Sequence, residues 1–408
     1  MRTTCVIAGG GPAGAVLGLL LARAGVDVTL LEKHADFLRD FRGDTIHPST
    51  LQVLDELGLA DDFHRLPHRK AYTMSLETDD GRVMRLADLR ELHGKYRYIA
   101  FVPQWDFLDL VTARASTYPN FRLVMNAEVV DLLRRNGAVR GVRYRDASGA
   151  EHEIEAVLTV GADGRGSDVR RAAGLAPREF GAPMDVVWFR LPREPGDPDQ
   201  PFLRASSGHL MVAINRETYW QLAYVIPKGG FDRLKERGVD DLRRTAVRLM
   251  PFLDGRVAEL RDFEGVGFLR VAVNRLGRWH LPGLLLIGDA AHAMSPIFGV
   301  GINLAVQDAV ATANIVGPAL LRGEAPEALL ARVERRRTPP TAVTQAAQRI
   351  VQRLLIRRAL ESRPLRLPTA LPRLPLFRRA ARRFLAYGVL PEHVRLPPSQ
   401  NGSQQMDT

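Results

Sequence analysis

The sequence has almost no cysteine and lacks long apolar runs. Cys5 carries the only thiol among 408 residues, which excludes a disulfide scaffold and a multi-cysteine metal site and fits a reducing compartment. No apolar stretch approaches the roughly 20 residues that span a bilayer. The first residues enter a short strand at once, without the apolar region and cleavage site of a signal peptide. These absences predict a soluble cytoplasmic protein with no transmembrane segment.

A metal site also lacks support in the sequence. His64 and His68 are four residues apart, but Pro67 lies between them and no third ligand follows in a suitable pattern. We therefore predict a protein without a metal centre.

Positive charge is concentrated near the C-terminus. Of the net charge of +11, ten charges lie between Gln345 and Arg395, where there are twelve arginines and two acidic residues. Such a stretch can bind a membrane surface or nucleic acid, or it can be a solvated face of helices that pack on the body. Five prolines and few aromatic residues favour the solvated face and argue against nucleic-acid binding. Peripheral membrane contact through this basic region stays open.

The pattern along the chain predicts an α/β fold with two sheets. Residues 1–35 read as strand, glycine-led helix and strand, which is a Rossmann-like βαβ unit. Residues 181–270 read as antiparallel strands followed by a helix. The predicted division is a first domain of residues 1–180 and 271–341, a sheet domain of residues 181–270, a basic helical segment of residues 342–398, and a disordered tail of residues 399–408.

The loop after the first strand is typical of dinucleotide binding. It reads GGGPAG between a strand and a helix, and Glu32 ends the next strand. The first glycine permits the tight turn, the second admits a pyrophosphate, and the third allows close helix packing. An acid at the position of Glu32 accepts hydrogen bonds from ribose hydroxyls and argues against a 2′-phosphate, so FAD or NAD is favoured over NADP. The residues predicted to contact the dinucleotide here are Gly9, Gly11, Pro12, Ala13, Gly14 and Glu32.

Four stretches, in order along the chain, resemble FAD-dependent aromatic hydroxylases of the para-hydroxybenzoate hydroxylase type. They are GGGPAG with Glu32, RGDTIHPST beginning at Arg42, GADGRGSDVR beginning at Gly161, and GDAAHAMSPIFGVGINLAVQDA beginning at Gly288. The resemblance spans about residues 1–340, and dehydrogenases that use only NAD lack the last two stretches. It implies that the first domain binds FAD.

The resemblance also implies roles for residues of the last stretch. Asp289 is expected to hydrogen-bond the ribityl chain of FAD. The turn at residues 299–301 is expected to bring backbone N–H groups against the flavin ring, and the helix that follows directs its positive end at the ring. The residues implied in this loop are Pro296, Gly299, Val300, Gly301 and Ile302.

Other implied contacts lie in the remaining stretches. Asp163 matches a motif that supports FAD and nicotinamide cofactor use, although it can equally belong to a strand-to-helix turn with Ser167 as the helix cap. Arg42 matches an arginine that meets the FAD pyrophosphate, and otherwise is a surface arginine. Gln104 matches a polar residue near the flavin. His47 and His292 are interpreted as locally hydrogen-bonded residues, and no catalytic base is assigned.

In the resembled family NADH or NADPH reduces FAD, O2 forms a flavin hydroperoxide, and oxygen passes to an electron-rich aromatic substrate, phenolic or polycyclic. The sheet domain is expected to cover the flavin and exclude water. Period-two alternation places Trp220 and Tyr224 on one face of a strand, where they could line the substrate pocket or form sheet core.

Three alternatives remain at this stage. A flavin-dependent halogenase shares the FAD motifs, and Lys70 stands where a catalytic lysine could lie, but the halogenase W-x-W-x-I-P pattern is absent. A reductase of isoprenoid double bonds shares the same motifs. A flavin-bound protein without enzymatic activity, with a basic tail for anionic partners, is the third.

Overall fold

The computed structural model describes residues 1–38, 45–78, 83–206, 208–361 and 375–399. Within these ranges the β-strands are β1 Arg2–Ala8, β2 Val28–Leu31, β3 Thr45–Ile46, β4 Arg69–Ala71, β5 Thr73–Thr78, β6 Val83–Asp88, β7 Ile99–Phe101, β8 Phe121–Val124, β9 Glu128–Arg135, β10 Ala138–Arg145, β11 Glu151–Gly161, β12 Pro177–Glu179, β13 Met184–Pro192, β14 Phe202–Ser206, β15 His209–Asn215, β16 Tyr219–Pro227, β17 Gly267–Leu269, β18 Asn274–Leu276, β19 His280–Leu281 and β20 Leu284–Leu286.

The α-helices of the same ranges are α1 Pro12–Arg23, α2 Pro48–Glu56, α3 Ala60–Arg65, α4 Gln104–Ser116, α5 Asp168–Ala172, α6 Phe231–Glu236, α7 Val239–Leu249, α8 Gly301–Leu321, α9 Glu327–Val351, α10 Arg357–Leu360 and α11 Pro375–Tyr387. A π-helical turn, Gln352–Ile356, joins α9 to α10 without a break.

The first sheet is built around parallel strands in the order β20-β11-β1-β2-β8. Its central strands are buried on both faces, as their continuous apolar sequences require. Helices α1 and α8 pack against each other and belong to the same core as the sheet. The predicted βαβ unit and the α/β fold class are confirmed.

The second sheet has seven strands in the order β17-β13-β16-β15-β14-β5-β6. Five of them come from residues 181–270, as predicted. The other two, β5 and β6, come from residues 73–88, because β5 pairs in parallel with β14 across more than a hundred residues. A pairing of that separation leaves no periodic pattern in the local sequence, so the sequence did not indicate it.

The two faces of the second sheet contact different parts of the molecule. One face is covered by α6 and α7, whose Leu234, Leu242 and Leu249 pack against it. The opposite face packs against Leu355 and neighbouring residues of the segment that links α9 to α10, and against Ile297 of the loop before α8. The opposite face is therefore the one that meets the first domain.

This arrangement corrects the predicted pocket wall. Trp220 and Tyr224 lie on the face covered by α6 and α7, with 0% and 4% of their surface exposed. Trp220 donates to Asp197 Oδ2 at 2.9 Å, and the Tyr224 hydroxyl pairs with His209 Nδ1 at 2.6 Å. Both residues are sheet core, because the alternation that separates the faces does not reveal which face the helices cover.

One helix has the length and apolar composition of a membrane span, contrary to the expectation from the sequence. It covers residues 297–321, and 78% of its most apolar window is buried inside the protein. Its neighbours are α1 on one side and α9 on another. Its apolar residues are thus part of the protein core.

The C-terminal region continues the body of the protein. Helix α9 runs through Pro339 and Pro340 and so crosses the boundary predicted at residues 341/342. Helix α11 packs on the body through Leu385 and Ala386. The predicted tail, apart from Ser399, lies outside the described residues. The division into domains stays a prediction.

Candidate flavin site

The sequence motifs converge at one edge of the first sheet. Strand β1 pairs Ala8 with Leu31 of β2 and with Gly161 of β11, and Gly161 pairs with Leu286 of β20. Because all four strands are parallel, they end at the same edge, where ligands of open α/β sheets bind. The predicted contacts Gly9, Glu32, Asp163 and Asp289 each lie within three residues of one of these strand ends.

The glycines of the first loop have distinct surroundings. A Cβ atom at Gly9 would lie 2.5 Å from the carbonyl oxygen of Ala162, and Gly9 has a φ of +102°. A Cβ atom at Gly14 would lie 1.9 Å from the carbonyl oxygen of Gly9. At Gly11, by contrast, no atom lies within 4 Å of such a Cβ. The protein thus fills the space at two glycines and leaves it open at Gly11, beside the unpaired N–H groups at the start of α1.

Glu32 is held in place by the same loop. Its side chain is buried, and Oε2 accepts a hydrogen bond from Gly10 N at 2.9 Å while Oε1 accepts one from His34 N at 3.1 Å. The carboxylate therefore has a fixed position directly beside the glycine loop, as the predicted ribose contact requires.

Asp163 caps a helix. Its Oδ1 accepts from Ser167 Oγ at 2.5 Å and its Oδ2 from Val169 N at 3.0 Å, while Ser167 Oγ accepts from Arg170 N. Burial raises the pKa of the Asp163 carboxyl. These contacts match the strand-to-helix turn considered for Asp163 and press the backbone of this turn against Gly9.

Asp289 lies opposite an arginine that the sequence did not single out. Arg165 Nε donates to Asp289 Oδ2 at 2.9 Å, and both side chains are about one-third exposed. The preceding Gly288 is wedged between the start of α1 and α8, because a Cβ atom there would lie 3.1 Å from that of Ala13 and 3.5 Å from that of Ala305. The acid predicted to contact the ribityl chain thus stands between the two helix starts.

A buried network of charged side chains binds the backbone N–H group of Gly288. Asp308 accepts from Gly288 N at 3.1 Å, pairs with His292 Nε2 at 2.6 Å, and accepts from Arg337 Nε at 2.8 Å. All three charged or titratable side chains are at most 1% exposed. Although burial acts to raise it, the pKa of Asp308 is lowered by His292 and Arg337. His292 is therefore a locally hydrogen-bonded residue, as expected from the sequence.

The loop that leads into α8 has an unusual backbone. Phe298 and Gly299 have φ values of 69° and 64°, and a non-glycine residue in this region is strained. Thr45 Oγ1 donates to the carbonyl oxygen of Gly299 at 2.6 Å, and a Cβ atom at Gly299 would collide with Thr45. Helix α8 begins at Gly301, close to the predicted start at Ile302.

Three glutamines that the sequence analysis missed hold this loop on its other side. Gln348 Nε2 donates to the carbonyl oxygens of Ser295 at 2.9 Å and Ile297 at 2.8 Å, and its Oε1 accepts from Ser295 N at 3.2 Å. The remaining bonds run from Gln345 Nε2 to Ala293 O at 3.1 Å and from Gln352 Nε2 to Ser295 Oγ at 2.9 Å. Their spacing of three and four residues on a helix was the available signal.

The other predicted contacts have varied positions. Arg42 lies outside the described residues. Gln104 is half-buried at the first position of α4, directly after β7. Phe101, three residues before Gln104, pairs with Thr45 in the small sheet. The hydroxyl of Thr45 in turn donates to the carbonyl oxygen of Gly299.

His47 is buried beside the start of α8. Its backbone N–H donates to Asn303 Oδ1 at 3.0 Å, and its Nδ1 donates to the carbonyl oxygen of Leu385 in α11 at 2.7 Å. Burial lowers the pKa of His47 to about 4, so the imidazole is neutral at pH 7. It connects the cofactor loop to the C-terminal helix rather than acting as a base.

The two glycines provide a matched test of cofactor binding. We expect Gly11→Ala to fold with a free energy of unfolding within about 0.5 kcal/mol of the wild type and to lose FAD affinity by at least about tenfold, since the new methyl group occupies open space. Gly14→Ala should instead prevent folding, because it overlaps Gly9. FAD titration and chemical denaturation measure both. Unchanged FAD affinity in Gly11→Ala would contradict this assignment.

Removal of the central glutamine should loosen the cofactor loop. Gln348→Leu loses two donated bonds and leaves Ser295 N without its partner, so we expect about 1–3 kcal/mol less stability and about tenfold weaker FAD binding. The exposed Ile350→Ala, two residues along the same helix, is the control and should match the wild type. Stability loss with unchanged FAD affinity would show that the glutamine supports the fold alone.

The buried His47 should make stability depend on pH. Between about pH 6.5 and pH 4 the unfolded chain binds a proton at this imidazole that the folded chain excludes. The free energy of unfolding should therefore fall by about 2 kcal/mol from pH 7 to pH 5 through this residue. His47→Gln should lose that part of the pH dependence in urea denaturation, and His93→Gln, on the surface, should keep it.

Comparisons with known proteins agree with this geometry. Residues 2–350 match the model of the family described as FAD binding domain. The chain is 33% identical over 392 residues to 6-methylpretetramide 4-monooxygenase of Streptomyces rimosus, covering 95% of this chain and 93% of that protein. It is 28% identical to 12-dehydrotetracycline 5-monooxygenase/anhydrotetracycline 6-monooxygenase of Streptomyces rimosus subsp. rimosus, covering 84% and 68%.

Solved structures have the same fold. OxyS anhydrotetracycline hydroxylase from Streptomyces rimosus superimposes with a TM-score of 0.73 at 25% identity, covering 95% of this chain and 76% of that one. PqsL of Pseudomonas aeruginosa in complex with 2-aminobenzoylacetate has a TM-score of 0.75 at 21% identity, covering 89% and 98%. The resemblance predicted from the sequence motifs is thereby confirmed. The chain belongs to the FAD-dependent aromatic hydroxylase family and is an FAD-binding monooxygenase.

Proposed function

We propose that this enzyme hydroxylates a polycyclic phenolic substrate, with NADH or NADPH as electron donor and O2 as co-substrate. The observation that carries the proposal is that Ile297 of the cofactor loop packs in the same apolar cluster as one face of the second sheet, which supports a substrate wall on that face. The relatives named for tetracyclic substrates support the polycyclic class.

The chain supplies groups suited to each part of FAD. Open space at Gly11 beside the start of α1 suits the pyrophosphate, and Glu32 suits the ribose. Asp289 suits the ribityl chain. The residues that we assign to the flavin ring and its surroundings are Gln104, Pro296, Gly299, Val300, Gly301 and Ile302. When bound there, FAD would supply the chemistry of hydride acceptance from NAD(P)H and of O2 activation, while these residues would hold and orient it.

We assign the substrate wall to the face of the second sheet opposite Trp220 and Tyr224. An apolar row of side chains crosses that face. Trp188 pairs with Ala223, Ala223 with Val212, and Val212 with Leu203, on four adjacent strands. The indole Nε1 of Trp188 is buried without a partner among the described residues. The side chains of Trp188, Leu203 and Val212 are partly exposed, so a flat aromatic substrate can stack on this row.

The same wall excludes water from the reacting atoms. The apolar row and Ile297 form one cluster with residues of the segment between α9 and α10. Exclusion of water by this apolar cluster would limit the loss of reducing equivalents as H2O2.

Anaerobic reduction tests the function directly. The purified protein with FAD should be yellow, and a polycyclic phenol such as anhydrotetracycline should accelerate bleaching by NADH or NADPH by about tenfold or more. Aerobic turnover with isotopically labelled O2 should then place one labelled oxygen atom in the product by mass spectrometry. A halogenated product in the presence of bromide would instead establish the halogenase alternative.

Two tryptophan variants link the test to the sheet face. Trp188→Leu should raise the KM for the aromatic with little change in FAD affinity. Trp220→Leu should lower stability instead, since Trp220 is fully buried on the other face. An aromatic KM that responds to Trp220→Leu and not to Trp188→Leu would reverse the assignment of the two faces.

A further inference from the structure

One arginine without an assigned role lies at the ligand-binding edge of the first sheet. Arg165 belongs to the turn after β11, the strand that pairs in parallel with both β1 and β20. The glycine loop follows β1, and Asp289 follows β20. Because these three strands end at the same edge, the turn that carries Arg165 lies between the glycine loop and the turn that carries Asp289.

The backbone at Arg165 is held by a buried arginine. Arg170, which is 8% exposed, donates through Nη2 to the carbonyl oxygen of Arg165 at 2.6 Å and through Nη1 to that of Ala290 at 2.8 Å. One guanidinium thus joins the turn after β11 to the turn after β20. At the two neighbours of Arg165, Gly164 and Gly166, a Cβ atom would have no other atom within 4 Å. The turn is therefore fixed from the inside and open on the outside.

The side chain of Arg165 has a fixed direction and an accessible donor. Its Nε donates to Asp289 Oδ2 at 2.9 Å, and 32% of the side chain is exposed. Its Nη1 is buried, whereas Nη2 makes no hydrogen bond within the described part of the chain and is not among the buried atoms there. A guanidinium presents Nε–H and Nη2 along one edge, so the accessible donor stands beside the Asp289 carboxylate.

The pair of Arg165 and Asp289 lies beside the start of α1. The turn before Arg165 is pressed against the glycine loop, because a Cβ atom at Gly9 would lie 2.7 Å from the Cα of Asp163. The residue before Asp289 approaches the helix itself, since a Cβ atom there would lie 3.1 Å from that of Ala13. Gly9 and Ala13 stand on either side of the open position in the glycine loop, which suits a diphosphate.

The charges at this edge favour a cation next to the diphosphate. Glu32 and Asp289 place two carboxylates there, and they repel the negative charges of a diphosphate. The first turn of α1, which reads PAGA, has no charged side chain, so its N–H groups supply only the partial charge of the helix dipole. Arg165 offsets the charge of Asp289 and has a further N–H donor of the kind that binds phosphate oxygens.

We propose that Arg165 binds the diphosphate of FAD through Nη2 while its Nε holds Asp289 in place for the ribityl chain. One guanidinium then orients two parts of the cofactor. The inference adds to the cofactor site a residue from the turn between the glycine loop and the last motif. It concerns FAD binding alone and is independent of the substrate proposed above.

The diphosphate of NADH or NADPH is the other source of the same chemistry. The position of Arg165 favours FAD, because both of its neighbours at this edge, Asp289 and the start of α1, are groups that suit FAD. A titration of FAD without any nicotinamide separates the two sources.

The test measures the binding of FAD and of two of its fragments to the full-length apoprotein. Riboflavin has the flavin ring and ribityl chain without a phosphate, and ADP has the diphosphate without the flavin. Flavin fluorescence reports FAD and riboflavin binding directly, and ADP binding by competition with FAD. Arg165→Met should raise the Kd for FAD and for ADP about tenfold and that for riboflavin by less than about twofold.

Two further variants control for charge and for folding. Arg165→Lys keeps the positive charge and should recover part of the affinity for FAD and ADP. Arg135→Met removes the same charge from an exposed position of β9 and should leave all three Kd values within about twofold of the wild type. Chemical denaturation of the apoproteins should give wild-type midpoints for all three variants, so that a change in Kd reports binding.

Every other outcome overturns the inference. A rise for riboflavin as large as that for FAD would show that Arg165 acts through Asp289 or through the fold of the turn. Unchanged Kd values for all three ligands would remove Arg165 from the cofactor site. A higher KM for NADH or NADPH in the FAD-saturated variant, with unchanged FAD affinity, would assign the arginine to the electron donor.

Discussion

The buried carboxylate of Asp308 is the interaction on which the cofactor edge depends. A carboxylate in the protein interior costs several kcal/mol unless it is fully paired, and here His292, Arg337 and the Gly288 N–H group surround it. These partners come from the loop after β20 and from α9, while Asp308 itself belongs to α8. One charge thus fixes three segments against each other, and loss of Arg337 in particular would remove the cation that compensates it.

The position of α9 then determines the position of the cofactor loop. The helix that carries Arg337 also carries Gln345 and Gln348, which bind the backbone of residues 293–297. In that loop Ile297 packs against the second sheet. A continuous set of contacts therefore runs from the buried charge through α9 and the cofactor loop to the second sheet.

The parts of the site that the sequence predicted are those encoded by local pattern. The glycine loop, Glu32 and the start of α8 near Ile302 each follow from residues that are neighbours in the chain. Of the two roles considered for Trp220 and Tyr224, the structure supports sheet core. Alternation shows that Trp220 and Ala223 lie on opposite faces of β16 but does not show where α6 and α7 pack. The pairing of β5 with β14 depends on contacts between distant segments, which no local pattern records.

In the C-terminal region, the prolines and arginines of the sequence did not indicate which polar groups contact the rest of the protein. Pro339 and Pro340 each lack an N–H donor, yet α9 continues through both, with Arg337 before them and Gln348 after them. Helix α11, rich in arginine, accepts a hydrogen bond from His47 through the Leu385 carbonyl oxygen. Charge on the outer surface of these helices therefore coexists with polar groups on their inner surface that bind the loops of the candidate flavin site.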